Sequence, residues 1–197
     1  MHAKDPDAAR LGMWLFLFTE ILLFGGLFLL YAAYLRRFPA EFYIAGRELS
    51  IFWGTVNTAV MLISSWAVAM SLSALHRGRE LLSSHFILLT IGLGGLFLLS
   101  KCFEWYGKIS AGIYPDSEVL NMMSDGEVLF FGLYYLMTGL HGIHVIIGSV
   151  LLLVAFFWLK GGKIRRNDYS LLENAGLYWH LVDLIWVFIF PLFYLIA

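Results

Sequence analysis

Apolar positions along this chain fall into five runs separated by short polar links. They cover Leu11–Leu35, Ser50–Leu75, Ser83–Tyr106, Glu127–Leu159 and Leu171–Ile196. A helix rises about 1.5 Å per residue, so each run is long enough to cross a hydrocarbon layer about 30 Å thick. The pattern predicts an all-α integral membrane protein, a bundle of five transmembrane helices in a single transmembrane domain over residues 1–197. The fourth run, roughly 50 Å as a helix, must tilt or project beyond the lipid. Asp125 reads as its capping acid, with Glu127 adding negative charge to the first turn. Pro191 predicts a kink near the end of the fifth run. Glycines gather inside the runs at Gly25, Gly26, Gly92, Gly94, Gly95, Gly132, Gly139, Gly142 and Gly148. Small residues at such positions allow close helix packing in lipid.

Composition agrees with the pattern: 60% of residues are hydrophobic and 14% charged, which leaves no room for a soluble domain. A net charge of −1 argues against nucleic acid as a partner. Cys102 is the single cysteine, so an internal disulfide and a multi-cysteine metal site are excluded. Residues 1–10 are too polar for a signal peptide and lack transit-peptide character, so the first run is expected to be retained. Lys4, Arg10, Arg77, Arg79, Lys160, Lys163, Arg165 and Arg166 share one side of a five-span topology; Arg36, Arg37, Arg47 and Lys108 lie on the other. That bias predicts the N-terminus inside and the C-terminus outside. Trp14, Tyr31, Tyr34, Trp53, Trp105, Tyr106, Trp158, Tyr178 and Tyr194 lie near run ends and read as an interfacial aromatic belt.

Polar residues inside the runs are the candidates for chemistry, because a charge there is costly unless paired, protonated or functional. Glu20 sits roughly 14 Å into the first run. His180 and Asp183 fall at similar depth in the fifth and share a helix face, so a belt joining Glu20 to His180 or Asp183 is expected. His141 and His144 share a face of the fourth run. They are either hydrogen-bonded to neighbouring helices or headgroups, or ligands of a haem or metal needing a further donor such as His180 or Glu20. Lys101, Glu104 and Lys108 form a charged stripe whose lysines can snorkel to the interface. Glu173 opens the fifth run, and Asn57 and Thr58 are polar positions able to hydrogen-bond across helices.

Four stretches carry a family resemblance. They are Gly12-Met-Trp-Leu-Phe-Leu-Phe-Thr-Glu-Ile-Leu-Leu-Phe, Asn57-Thr-Ala-Val-Met-Leu-Ile-Ser-Ser, Thr138-Gly-Leu-His-Gly-Ile-His-Val-Ile-Ile-Gly, and Glu173-Asn-Ala-Gly-Leu-Tyr-Trp-His-Leu-Val-Asp-Leu-Ile-Trp. Together with the span-end Glu104, they resemble subunit III of the haem–copper oxidases, best known from cytochrome c oxidase. The resemblance runs from about residue 11 to the C-terminus and begins at the third helix of the seven-span members, like five-span bacterial forms. It implies a non-catalytic subunit with no cofactor of its own, haem and copper residing in subunits I and II. It implies direct contact mainly with subunit I, bound phospholipid, and support for proton uptake while the complex reduces oxygen to water. Cytochrome c is the expected donor, with quinol as the alternative, and a bacterial inner membrane is the expected location. A related five-span protein accompanies nitric oxide reductases. The resemblance makes Glu20, His141, His144, His180 and Asp183 internal polar positions rather than metal ligands; with Asn57, Glu104 and Glu173 they are the expected intramembrane polar positions related to lipid or protons.

Overall fold

A computed structural model describes residues 6–165 and 168–196, with side chains from Leu11 onward. Lys4 and Arg166 of the charge count, and the side chain of Arg10, lie outside the described residues. Five long helices cross the membrane-sized layer: α1 (Pro6–Arg37), α3 (Ile51–His76), α4 (Glu80–Ser110), α6 (Asp125–Lys160) and α7 (Ser170–Phe190). A π turn, Pro191–Leu195, extends α7. Two shorter helices, α2 (Pro39–Gly46) and α5 (Glu118–Asn121), fill links that the apolar pattern leaves unstructured. Among the described residues there is no strand, only an isolated bridge between Arg165 and Asp168. In lipid, backbone groups must be satisfied within the segment, which makes helix the answer for each apolar run.

Polar chemistry sets the helix ends. Ser124, not Asp125, caps α6: its hydroxyl accepts from the Glu127 amide at 3.4 Å and Glu127 Oε2 accepts from the Ser124 amide at 3.1 Å. A serine three residues ahead of a glutamate forms this reciprocal box, leaving Asp125 as the first helical residue. Helix α4 runs on to Ser110, beyond the expected Tyr106, because Gly107, Lys108 and Ile109 continue its hydrogen bonding before Gly112 turns at φ 79°. Pro191 does not end the fifth helix. It opens the π turn, where Tyr31 donates its hydroxyl to the Leu192 carbonyl and satisfies a backbone acceptor near the helix end.

Helices α3, α4, α6 and α7 form the packed centre, and α1 leans on α6 and α7. The difference is large: 56% of the α7 membrane window is buried inside the bundle, against 11% of that of α1. Trp179 sits where the four central helices meet. A Cβ at Gly94 would lie 2.6 Å from its ring, and one at Gly148 2.8 Å, so α4 and α6 close on it from two sides. Its indole N–H donates to Ser64 Oγ on α3 at 3.0 Å. Small α2 packs on the start of α6, where a Cβ at Gly126 would meet Glu41 at 2.6 Å, and buries Phe42 between Tyr31 and Phe130.

Two expectations about composition are corrected here. Gly94, Gly139, Gly142 and Gly148 do pack against neighbouring helices, but a Cβ at Gly25, Gly26, Gly92, Gly95 or Gly132 would meet nothing within 4 Å. Those five lie on faces turned away from the bundle, a distinction that helix phase decides and residue type does not. The aromatic belt also divides. Trp14, Trp53, Tyr106 and Trp158 face outward, whereas Tyr31, Tyr178 and Tyr194 are core residues buried among other rings. Position near a helix end gives an aromatic its level, while its face decides whether lipid or core receives it.

Candidate functional site: polar centres inside the bundle

Two groups of polar side chains lie inside the spans. The first joins α1 to α6. Glu20 Oε2 and His144 Nε2 are 2.8 Å apart, and the His144 ring leans on Phe24 and stacks with Tyr178. His144 Nδ1 is 2.7 Å from the Leu140 carbonyl. A carbonyl oxygen only accepts, so Nδ1 must carry a proton. One further proton then lies between Nε2 and Glu20, whether on the ring or on the carboxyl. In both arrangements the pair is neutral overall, which is how a carboxyl is tolerated at this depth.

The expected belt of Glu20 with His180 or Asp183 is thus corrected: the partner of Glu20 is His144. Depth places residues at one level but not on one face. On α7 it is Tyr178 that faces α1, with its ring 5.9 Å from that of Phe16. At about 100° per residue, His180 and Asp183 are turned roughly 140–160° away from Tyr178, toward α3. There His180 Nδ1 lies 2.7 Å from Ser65 Oγ. Asp183, 3% exposed, faces the Ser64 and Ser65 hydroxyls. Those hydroxyls are also engaged with Met61, Trp179 and His180.

His141 and His144 diverge by about 60° despite their shared face. That rotation carries His141 away from α1 and between the rings of Phe97 on α4, at 5.3 Å, and Trp186 on α7, at 5.2 Å. The three histidines therefore take separate neighbours. No group of three or more His, Cys, Asp or Glu side chains is arranged to hold a metal ion among the described residues. Asn57 is buried on α3, while its neighbour Thr58 accepts the Trp186 indole N–H at 3.0 Å. Glu173 stands in the first turn of α7.

The second group lies toward the other end of α4. Lys101 Nζ is 3.1 Å from Glu104 Oε2, 3.0 Å from the Tyr134 hydroxyl and 2.8 Å from the Tyr194 hydroxyl. Both tyrosines donate to Glu104 Oε1 at 2.6 Å. An ammonium has three donors, and here each has an acceptor; each phenol accepts once and donates once. The network is closed. Lys101 is only 6% exposed and is no snorkelling lysine, because its face of α4 turns into α6 and α7. Lys108, at the helix end, binds the Glu48 carbonyl and carboxylate instead. Tyr134, Tyr194 and Ser65 are members of these centres that the sequence reading does not single out, whereas Trp179 shares a helical stripe with Asp183 and Trp186. A helical stripe was the available signal: Tyr134, Thr138 and His141 on α6, and Trp179, Asp183, Trp186 and Tyr194 along α7.

Comparison with known proteins bears on what such a scaffold serves. The family model for cytochrome c oxidase subunit III matches residues 48–197. Cytochrome c oxidase subunit 3 of Thermostichus vulcanus is 30% identical over 199 residues, covering 100% of this chain and 92% of that protein. Cytochrome bo(3) ubiquinol oxidase subunit 3 of Pseudomonas aeruginosa is 26% identical, covering 100% and 89%. The heme-copper oxidase subunit I+III of Aeropyrum pernix is 27% identical, covering 96% of this chain and 23% of that longer protein. With the five-helix membrane bundle and its buried acid–histidine pair, these matches place the chain in the cytochrome c oxidase subunit III family of haem–copper oxidases.

Proposed function

We propose that this chain is the accessory, non-redox subunit III of a respiratory terminal oxidase that reduces oxygen to water, packed mainly against the catalytic subunit I. The observation that carries the contact is the Aeropyrum pernix relative, whose name joins subunits I and III in one polypeptide. Two of the three histidines weighed as ligands are committed to protein neighbours, His144 to Glu20 and His180 to Ser65, which supports haem and copper lying in partner subunits. The Glu20–His144 pair shares one proton between Nε2 and the carboxyl at mid-membrane level, in keeping with support of proton uptake by subunit I. Phospholipid fills the outward apolar faces of α1, and the basic link between α3 and α4, with Arg77 and Arg79, and the basic end of α6 face the inside of a bacterial inner membrane.

Cytochrome c is the proposed donor, through subunit II. The bo(3) relative favours a second reading, with quinol as donor and the same role for this chain. Purification in mild detergent through a tag on this chain tests the proposal. A large haem-bearing partner should co-purify, and the complex should consume oxygen with reduced cytochrome c. Stoichiometric haem or metal in the isolated chain, or recovery without a haem-bearing partner, overturns the accessory reading. Turnover with quinol and not cytochrome c decides for the second.

A further inference from the structure

Among the polar groups inside the bundle, His141 stands apart. It is wholly buried, yet neither ring nitrogen has a hydrogen-bond partner among the described residues. A neutral imidazole carries one N–H donor and one acceptor, and each left unmet in a buried site costs about 1–3 kcal/mol. The nearest groups by ring contact, Phe97 and Trp186, offer only π faces, and the Trp186 N–H is taken by Thr58. The hydroxyl of Thr138, one turn away on α6, is spent on the Tyr134 carbonyl.

A second unmet group lies in the same layer. Thr90 on α4 donates to the Ser64 carbonyl on α3 at 3.4 Å, which fixes the antiparallel register of these helices. Asn57 is seven residues from Ser64 and Phe97 seven from Thr90, in the same direction along the bundle, so Asn57 stands level with Phe97 and hence with His141. Asn57 is 1% exposed and its side-chain amide nitrogen has no partner among the described residues. An amide donor and an imidazole with both a donor and an acceptor thus share one buried layer across α3, α4 and α6.

We propose that His141 and Asn57 together bind ordered internal water in the core of the bundle. Water is the ligand this donor and acceptor set fits: one water can accept from the Asn57 amide and bond one His141 ring nitrogen, and a second water can serve the other ring nitrogen. Buried waters characteristically serve two to four such otherwise unmet groups. The site lies one helical step along α6 from the Glu20–His144 pair and extends polar character from that pair toward the Lys101 network.

A cryo-EM map of the intact oxidase complex, at a resolution that shows ordered solvent, tests this. Density within hydrogen-bond distance of a His141 ring nitrogen and of the Asn57 amide is expected in the unmodified protein. It should be lost in His141→Leu and retained in His141→Gln, which keeps a donor and an acceptor. Water-to-nitrogen magnetisation transfer to ¹⁵N-labelled histidine gives an independent reading: a signal at His141 that weakens in Asn57→Leu. An unmodified complex without such density, or with a direct Asn57–His141 hydrogen bond in its place, overturns the proposal. So does density that survives both leucine variants. If a variant fails to assemble, the unmodified complex alone decides.

Discussion

The closed network around Lys101 and the open layer around His141 lie in one bundle and share Trp186 as a neighbour, yet they treat hydrogen bonding in opposite ways. In the first, the ammonium of Lys101, the carboxylate of Glu104 and the phenols of Tyr134 and Tyr194 use one another up. In the second, His141 and Asn57 retain unmet groups among the described residues. The closed group ties α4, α6 and the segment after α7 together, which is the work of a structural clasp. Unmet polar groups in low dielectric are costly, so they mark positions whose partners are water, a proton or another chain. The contrast suggests that stability is concentrated at one end of the bundle and adaptable chemistry at mid-depth.

Glu104→Leu breaks the closed side most severely. It strands the Lys101 ammonium and two phenols in a buried site, and removing one partner of a buried pair costs about 3–5 kcal/mol. The double change Lys101→Met with Glu104→Leu should recover much of that loss, because no uncompensated charge remains. Thermal unfolding of the detergent-solubilised complex, with retention of this chain as a second readout, checks both. A double variant no more stable than the single one would falsify the clasp.

A smaller effect is expected at the junction beneath the two centres. Gly94→Ala would place a methyl 2.6 Å from Trp179, whose ring is already held by Gly148 and hydrogen-bonded to Ser64. Overpacking of this kind costs about 1–3 kcal/mol. Gly95→Ala, one residue on, meets nothing within 4 Å and should leave stability within about 0.5 kcal/mol. Equal losses at the two positions, measured by thermal unfolding, would show that contact with Trp179 does not set the cost at Gly94; a gain at both would show that helix propensity outweighs it.

The sequence carried the helices more clearly than the contacts. Apolar run length is a one-dimensional property, and the five spans could be read from it. Helix α2 was missed because eight residues with Pro39 at the start look like a link, although Phe42 and Ala45 share a buried face. In the polar centres, depth was legible and azimuth was not. Glu20, His180 and Asp183 do share a level, but a rotation of roughly 140–160° along α7 separates the last two from the face that meets α1. Lys101 illustrates the same limit: its spacing to Glu104 predicted their pairing, while whether that pair faced lipid or core depended on Tyr134 and Tyr194 from other helices.

The gentlest change sharpens the comparison from the mid-membrane side. In Glu20→Gln the new amide N–H can donate to His144 Nε2, because Nδ1 stays protonated on the Leu140 carbonyl. One hydrogen bond of ordinary membrane strength is kept, so the loss should be under about 1 kcal/mol. Glu20→Leu removes the partner altogether, leaves Nε2 against Phe24, and should cost about 1–3 kcal/mol. Infrared spectroscopy then locates the shared proton. If it rests on the carboxyl, the unmodified protein has a protonated-carboxyl carbonyl band that Glu20→Gln abolishes. If it rests on the ring, no such band depends on Glu20, and Glu20→Gln forces the imidazolium to lose its proton. A destabilisation by Glu20→Gln as large as that of Glu104→Leu would erase the distinction between the two centres, since it would make the mid-membrane pair as rigid a clasp as the closed network.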